Sequence, residues 1–388
     1  MGKVADFVST KTKKNPKLRL GSLLEISNLQ KREPLQSGNV VFDYVTSIGG
    51  IPRGVVTEMR GFNSSGKSTL AAQVAAQHQK AVKSGEATGA ILYLDFEYAV
   101  SAEYFSALGL DIDDPETFIY YQPDTLEEGF NMFLDMTKEG LLALCVVDSV
   151  AGASAEAEYE ATIGKMSIGL KARALSQALR MCVGPMKTNG TSLILINHTQ
   201  QKIATTFGEK QAAARGIVDT VSPGGKAMEF YPSLRIEFAR PTNVKSEAAD
   251  ALTNDKTKQV TSTEVVVTAF KNKVGTPHRS GKMRVEFGKG FNPTYSATHV
   301  LIDHGIIKKK PGGHFVFPQE LLKSSTFSVP VGEDNLIRAI SNDPTTRDLI
   351  HELARKLVVL NQVEQSDSSV DVSEADEMID LETGEVYE

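Results

Sequence analysis

The clearest chemical signal in the chain is a run of eight residues, Gly-Phe-Asn-Ser-Ser-Gly-Lys-Ser at positions 61–68, which matches the pattern GxxxxGK[ST]. In that pattern the glycines let backbone amide groups point at phosphate oxygens, and the dipole of the following helix favours the same negative charge. Lys67 is expected to reach the β- and γ-phosphates, and Ser68 to ligate Mg2+. The sequence therefore predicts a nucleoside-triphosphate site. Its expected contacts are Gly61, Asn63, Ser64, Ser65, Gly66, Lys67, Ser68 and Thr69.

The neighbouring residues favour this phosphate loop (residues 61–68) over a glycine-rich turn that binds nothing. The segment before it, residues 55–59, is short and rich in β-branched residues, as in a strand. Residues 70–76 after it are strong helix formers. A strand, a glycine-rich loop and a helix in this order are the context that the pattern requires.

Three further apolar segments end in polar residues, where parallel strands line a ligand crevice. Asp95 and Glu97 follow the first, and two-residue alternation puts both on one side, with Glu97 as the candidate to polarise an attacking water. Asp148 ends the second and is the candidate acid of the magnesium shell. His198 ends the third and is a candidate sensor of the γ-phosphate. A solvent-facing acid and a structural histidine stay open as plainer interpretations.

Short apolar segments alternate with amphipathic ones, which predicts an α/β fold with a largely parallel central sheet covered by helices. The predicted strands are 90–95, 144–148, 192–197, 234–238 and 264–270, and the predicted helices include 18–29, 126–138 and 170–187. The sequence divides into a basic N-terminal arm (1–35), a core that contains the phosphate loop (36–288), a small C-terminal α/β domain (289–360) and an acidic tail expected to be disordered (361–388).

Bulk composition excludes several classes of protein. Hydrophobic residues make up 41% of the 388 positions, as in a soluble globule, and the two cysteines have no CxxC spacing, which disfavours a disulfide framework or a zinc site. No apolar run is long enough to span a bilayer, so we expect a cytoplasmic protein without a membrane partner.

Charge is unevenly distributed around a net charge of −6. Residues 361–388 contain ten acidic groups and no lysine or arginine, whereas residues 1–32 contain eight lysines and arginines and two acids. This pattern predicts a polyanionic partner with which the tail competes. A solubilising tail beside a solvated basic arm explains the charge pattern equally well.

Several motifs, in order, resemble landmarks of the RecA-type homologous recombinases. They are DFEY at 95–98, QPDT at 122–125, VDSVA at 147–151, LKARALSQA at 170–178, PGGKA at 223–227 and KNK at 271–273. The similarity spans roughly residues 35–355. It implies a RecA-type P-loop ATPase core that uses ATP and Mg2+, forms a homo-oligomeric helical filament on single-stranded DNA, and pairs it with homologous double-stranded DNA. Single-strand-binding and loader proteins would be further partners, in a bacterial cell or a phage-infected host.

The resemblance also implies roles for particular residues. Glu97 matches the catalytic base, Tyr104 an adenine-stacking residue, and Asp148 the magnesium-associated acid. Lys271 and Lys273 match lysines that reach the γ-phosphate of a neighbouring subunit; two apart on a predicted strand, they should share one face, although a solvated cationic edge is the commoner explanation of such a pair. The implied catalytic set is Glu97, Lys67, His198, Lys271 and Lys273.

Two segments resemble the DNA-binding loops of the family: residues 156–168 (the first loop) and residues 198–222 (the second loop). The residues implied to contact DNA are Arg173, Lys165, Met166, Ile168, Lys202, Phe207 and Arg215. Because the loops are poor in aromatic residues, affinity should come mainly from DNA backbone phosphates.

The chain departs from the bacterial pattern at three positions. His198 replaces a glutamine and makes residues 197–199 more similar to the phage recombinases of the UvsX type. Gln200 stands where an arginine is expected, and Ser101 where a carboxylate would help hold adenine. A ring-forming helicase or loader on the same core and an ATP-gated mediator that does not hydrolyse ATP remain the alternatives. A small-molecule kinase is disfavoured, because no lid with convergent arginines is evident.

Overall fold

The computed structural model describes residues 7, 10–11, 13–14, 32–159, 169–201, 220–221, 223–239, 241–249, 256–322, 324 and 327–366. The predicted helix at 18–29, most of both DNA-binding loops and residues 367–388 of the predicted tail lie outside these residues. In chain order the elements are α1 (Val40–Thr46), β1 (Val56–Gly61), α2 (Lys67–Lys83), β2 (Ala90–Asp95), α3 (Ala102–Ala107), β3 (Phe118–Tyr121), α4 (Leu126–Lys138), β4 (Leu142–Asp148), α5 (Glu156–Tyr159), α6 (Leu170–Asn189), β5 (Ser192–His198), β6 (Gln200–Gln201), β7 (Thr220–Val221), α7 (Ala227–Phe230), β8 (Pro232–Phe238), β9 (Thr242–Ala249), β10 (Lys256–Asn272), β11 (Ser280–Glu286), β12 (Gly290–Phe291), α8 (Pro293–Asp303), β13 (Lys308–Lys310), β14 (His314–Val316), α9 (Glu333–Asn342) and α10 (Pro344–Ser366).

One large sheet organises the described residues. Its strand order is β12-β11-β10-β8-β1-β5-β4-β2-β3, and β9 pairs with β10. The six strands from β8 to β3 are parallel, while β10, β11 and β12 are added antiparallel. The α/β fold with a largely parallel sheet is therefore confirmed. We call the end of the parallel strands where the phosphate loop begins the carboxyl edge, and the opposite end the amino edge.

Both faces of the parallel strands are buried, which explains their continuous apolar sequences. All seven residues of β4 are buried. One hydrophobic cluster joins α2 and the C-terminal helices to one face (the first face), and a second joins α4 and α6 to the other (the second face). Helix α4 has the predicted bounds, and α6 runs two residues past its prediction to end at Gly190, where φ is 73°. A left-handed residue of this kind ends helices, and glycine adopts it without a Cβ penalty.

Strand β10 is much longer than predicted, because its first half is polar. Residues 256–263 read KTKQVTST and lack the apolar alternation that signals a strand, but they pair with β9 in an antiparallel hairpin. Pairing between strands, which single-sequence patterns do not report, explains the difference.

The C-terminal residues pack on the same core. Strand β12 extends the central sheet, and α8 contacts α1, α10 and β11. Helix α10 continues to Ser366, so the first six residues of the predicted tail are helical. The division into separate domains remains a prediction. Among the described residues, no helix combines the length and apolar character needed to cross a bilayer.

Candidate nucleotide and nucleic-acid site

The phosphate loop connects β1 to α2 through a glycine that no other residue could replace without strain. Gly66 has φ 89° and precedes the first residue of α2. A Cβ there would lie 2.7 Å from Cζ of Phe291 and 3.0 Å from Cγ2 of Val285. The residues packed beneath the loop therefore require the absence of a side chain. Within the loop Asn63 and Ser64 are exposed, Ser68 is half-buried, and Gly61, Ser65, Lys67 and Thr69 are buried.

Lys67 holds a buried ammonium group inside the loop. Its side chain donates to the carbonyl oxygens of Gly61 at 3.1 Å and Phe62 at 2.7 Å, and lies 3.4 Å from Oγ of Ser65. Burial lowers the pKa of Lys67 to about 8, although the negative charges of Asp148 and Glu97 oppose this shift. The loop thus concentrates an incompletely neutralised cation at a point surrounded by backbone amides, which suits phosphate oxygens.

Asp148 ends β4 in a buried position next to the phosphate loop. Its Oδ2 accepts from the hydroxyl of Tyr93 at 2.7 Å. Burial raises the pKa of Asp148, the hydrogen bonds from Tyr93 and Ser68 lower it, and the charges of Glu97 and Asp95 raise it. A carboxylate and a hydroxyl in contact fit Mg2+, which takes few protein ligands and keeps water and phosphate oxygens. In the described part of the chain, no group of three or more His, Cys, Asp or Glu residues is arranged to hold a metal ion.

Asp95 anchors the turn that follows β2, and does not face the site. The prediction that Asp95 and Glu97 share one side is wrong, because β2 ends at Asp95 and the chain bends at residues 96–97. The Asp95 carboxylate is 1% exposed. It accepts from the four backbone N–H groups of residues 97–100 at 2.9 to 3.3 Å, and from the hydroxyl of Tyr120 at 2.7 Å. The side chain is therefore a structural support for the position of Glu97.

Glu97 is an exposed residue, and two donors hold its carboxylate. The hydroxyl of Ser149 donates to its Oε1, and Nε2 of His198 lies 2.8 Å from the same oxygen. Burial acts to raise the pKa of Glu97, but the hydrogen bonds from Ser149 and His198 and the charge of Lys67 outweigh it and leave the pKa lowered. Gly152 lies against Glu97, since a Cβ there would come within 3.0 Å of its Cγ. Sequence patterns gave no signal for the contacts of Ser149 and Gly152.

His198 ends β5 at the carboxyl edge and begins the second loop. Its Nδ1 is buried and forms no hydrogen bond within the described residues. The next residue, Thr199, donates its backbone N–H to the carbonyl oxygen of Gly61 at 3.1 Å. Strands β6 and β7 then pair as the stem of the second loop. The structure thus brings the root of that loop into contact with both Glu97 and the phosphate loop.

Tyr104 lies on α3 beside the phosphate-loop helix. Its hydroxyl is 2.9 Å from Oγ1 of Thr69. Ser101, where a carboxylate was expected, caps α3, with its Oγ accepting from N of Tyr104 at 3.2 Å and donating to Glu103 at 2.7 Å. This contact fixes Tyr104 beside the phosphate-loop helix, and its role in stacking on adenine remains a prediction.

Lys271 and Lys273 lie towards the amino edge, away from the phosphate loop of their own chain. In the sheet Gly61 is level with Phe238, whereas Lys271 is level with Arg235, and Lys273 donates its backbone N–H to the carbonyl oxygen of Ser233. Three residues of extended chain separate Lys271 from the level of Gly61, about 10 Å, and five separate Lys273 from it, about 16 Å. The prediction that both lysines lie on one strand is wrong, because β10 ends at Asn272.

The predicted DNA contacts are mostly beyond the described residues. Lys165, Met166, Ile168, Lys202, Phe207 and Arg215 all lie outside them. Arg173 is exposed on the first turns of α6, just after the first loop. On the same turn Nζ of Lys171 donates to the carbonyl oxygen of Ala151 at 2.8 Å, which connects the end of the first loop to the segment after Asp148.

The fold and the site together define a P-loop nucleotide-binding protein in which the second loop begins at the carboxyl edge of the sheet. The family model described as the RecA N-terminal domain matches residues 10–292. The chain is 32% identical to Protein RecA of Corynebacterium glutamicum (strain R) over 355 residues, covering 90% of this chain and 85% of that protein. It is 30% identical to Protein RecA of Thermotoga neapolitana over 348 residues, covering 89% and 90%. The chain belongs to the RecA family.

A solved structure was also compared. The crystal structure of the RadB recombinase has a TM-score of 0.44 and 19% sequence identity, and covers 66% of this chain and 98% of that chain.

Proposed function

We propose that this protein is a DNA-dependent ATPase that forms helical filaments on single-stranded DNA and catalyses homologous pairing and strand exchange. Membership of the RecA family gives it a role in DNA recombination and repair. The observation that carries the ATPase proposal is the 2.8 Å contact between Glu97 and His198 beside the phosphate loop, because it joins a candidate base to the root of a candidate DNA loop.

ATP would bind with its phosphates on the loop, where Lys67 would exchange its carbonyl contacts for the β- and γ-phosphate oxygens. Ser68 and Asp148 would hold Mg2+, which would supply positive charge to offset that of the phosphates. Tyr104, fixed through Thr69, would stack on adenine. Tyr104 and Asp148 are already held by hydrogen bonds among the described residues, so Lys67 is the group that would have to change its partners on binding.

Glu97 would act as the general base for water attack on the γ-phosphate. Its lowered pKa keeps the carboxylate ionised at neutral pH. The two donors on Oε1 fix the orientation of the group and leave Oε2 for the water proton. Positioning of this kind is where most of the catalysis of phosphoryl transfer resides.

The lysines of one protomer would complete the site of the next. Their place towards the amino edge, about 10 Å (Lys271) and about 16 Å (Lys273) from the level of their own phosphate loop, supports a role on a neighbour's nucleotide. Phe230, 71% exposed, follows Glu229, whose carbonyl accepts from Lys271, so an apolar contact is available beside these lysines. A contact between unlike edges is head-to-tail, and it generates an open helix when its rotation does not close.

Coupling to DNA would pass through the root of the second loop. The hydrogen bond from Thr199 to Gly61 ties that loop to the phosphate loop, and His198 ties it to Glu97. ATP would order the loop on DNA, and hydrolysis would release it. Single-strand-binding and loader proteins are proposed as further partners.

Strand exchange between homologous DNAs, measured with ATP turnover in the presence and absence of single-stranded DNA, tests the proposal. We expect DNA to stimulate turnover and Lys67→Ala to abolish both activities. Electron microscopy separates the ring-forming helicase or loader, which would give closed rings, from filaments whose length follows the DNA. Absence of turnover in the presence of DNA would instead favour the ATP-gated mediator.

A further inference from the structure

A chain of buried polar side chains runs through the sheet from the end of the second loop towards Lys271. Asn197 donates from Nδ2 to the carbonyl oxygen of Pro223 at 2.8 Å and to Oε1 of Glu58 at 3.2 Å. Oε2 of Glu58 accepts from Nε of Arg235 at 2.6 Å. Pro223 follows the second loop directly, and Arg235 stands opposite Lys271 in the pairing of β8 with β10. We call Asn197, Glu58 and Arg235 the relay.

The relay places two charges in the interior. Glu58 is 0% exposed and Arg235 is 9% exposed. Burying an ion pair costs several kcal/mol per ion, and well-packed apolar residues in its place are often as stable or more stable. Stability alone therefore does not account for charges at this position, and a positioning role does.

A β-bulge in β10 turns Lys271 towards the relay. Ala269 pairs with Ile236 and Lys271 pairs with Arg235, so two residues of β10 span one step of β8. The extra residue, Phe270, reverses the alternation of side chains along the strand. Without the bulge, Lys271 would lie on the same side of the strand as Ala269, which is the first face of the sheet. With the bulge it shares the side of Arg235 and the relay.

The bulge itself depends on the relay. The guanidinium carbon of Arg60 lies 4.0 Å from the centroid of the Phe270 ring, and the guanidinium carbon of Arg235 lies 4.8 Å from it. Burial lowers the pKa of Lys271, the charges of Lys273 and Arg235 lower it further, and the charge of Glu58 opposes them. Both the location of Lys271 and the state of its ammonium group are thus linked to Arg235 and Glu58.

At its other end the relay is hydrogen-bonded to the residues where the second loop begins and ends, His198 and Pro223. Both Nδ2 protons of Asn197 are used, one on Pro223 and one on Glu58, and its Oδ1 accepts from N of His198 at 3.1 Å. Any shift of Pro223 or His198 must change what the amide offers to Glu58. A fully paired buried network responds in this way because a polar group left unpaired in the interior is destabilising.

We propose that the relay positions Lys271 in response to the state of the second loop, and so links DNA held by one protomer to ATP hydrolysis on the phosphate loop of its neighbour. This inference rests on the proposed function, in which Lys271 completes the neighbour's site. Asn197, Glu58 and Arg235 are positioning residues that act through Lys271.

Mixed assemblies test the direction of the effect. One parent carries Lys271→Ala and Lys273→Ala and keeps its phosphate loop; the other carries Lys67→Ala and keeps its lysines. Neither parent alone should turn over ATP, and an equal mixture should regain DNA-stimulated turnover. We then add Glu58→Gln to one parent at a time. In the parent that supplies the lysines, Glu58→Gln should lower the regained turnover at least about fivefold, which is the low end of the coupling usually found between two sites. In the other parent Glu58→Gln should have no effect.

A matched control keeps the chemistry of the change and moves it off the relay. Glu264→Gln neutralises the acid of the Arg284–Glu264 pair, 2.8 Å apart on the neighbouring strands β10 and β11, and should leave the mixture unaffected. Fluorescence anisotropy should report equal retention on single-stranded DNA for all variants. If circular dichroism shows that Glu58→Gln does not fold, Arg235→Lys replaces it, because lysine keeps the charge but loses the Nε donor and the planar contact with Phe270.

The outcomes separate the two ideas. Equal loss with Glu58→Gln in either parent, or no loss in either, overturns the relay while leaving the shared site intact. Failure of the parental mixture to regain turnover overturns the shared site and the relay together.

Discussion

Nε2 of His198 lies 2.8 Å from Oε1 of Glu97, across 101 positions of sequence. A carboxylate only accepts hydrogen bonds, so Nε2 of the imidazole is the donor. Nδ1 of His198 is buried and has no hydrogen-bond partner among the described residues, so Nε2 is the ring atom that makes the contact. The root of the second loop is therefore in direct contact with the candidate base, and what moves one residue moves the other.

His198→Gln should preserve DNA-stimulated ATP turnover, since an amide can still donate to Glu97. His198→Leu keeps bulk and removes the donor, and should lose most of the stimulation by DNA while retaining ATP binding. Turnover at saturating ATP with increasing single-stranded DNA measures both. Equal stimulation of the leucine variant and the unaltered protein would show that this contact does not transmit the DNA signal.

Glu97→Gln should slow hydrolysis by about 10²- to 10⁴-fold, the usual contribution of a positioned base. ATP and DNA binding should remain, because neither the phosphate loop nor the DNA loops lose a contact. Single-turnover hydrolysis and a nucleotide-binding titration check the two halves. Loss of nucleotide binding would assign Glu97 a structural role.

Lys67→Met should change how stability depends on pH in the nucleotide-free protein. The pKa of Lys67 is lowered from 10.5 to about 8 by burial, so between these values the unfolded chain binds more protons and stability rises with pH. Below about pH 8 the full cost of burying the charged ammonium group is present. It is roughly 3 kcal/mol, because each pKa unit corresponds to about 1.36 kcal/mol. The methionine variant should therefore be more stable near pH 7, with the difference shrinking towards pH 10.5. Urea unfolding of both proteins across this range tests it, and a constant difference contradicts it.

Gly66→Ala should abolish nucleotide binding, because its Cβ would meet Phe291 at 2.7 Å in a left-handed conformation. Gly85→Ala is the matched control: Gly85 has φ 80°, and a Cβ there would meet nothing within 4 Å. It should cost only the conformational strain, about 1–2 kcal/mol, and keep ATP binding. Thermal unfolding with and without ATP compares them, and similar ATP binding by both would mean that the loop tolerates the extra carbon.

Deleting residues 367–388 removes nine acidic groups and no basic one, and leaves α10 intact. We expect faster loading onto single-stranded DNA, most clearly at low salt, where charge acts over longer distances. The control replaces the same acids by their amides at full length. If neither change alters loading, the tail serves solubility alone.

Local patterns predicted the phosphate loop, the ends of β4 and β5 and the bounds of α4, since each is written within a few consecutive residues. They failed for Asp95 and Glu97, because alternation holds only while a strand continues, and β2 stops at Asp95. They also failed for Lys271 and Lys273, because β10 ends at Asn272, between the two lysines. The donor on Glu97 from Ser149 was missed for the same reason: the contact depends on how separate strands end together.

The carbonyl oxygen of Gly61 accepts from both Nζ of Lys67 and N–H of Thr199, each at 3.1 Å. An incoming phosphate that draws Lys67 away leaves this oxygen with a single donor, and the peptide plane is then free to tilt towards Thr199. We therefore expect the tilt of this single amide to be the point at which an arriving phosphate is felt at the start of the second loop.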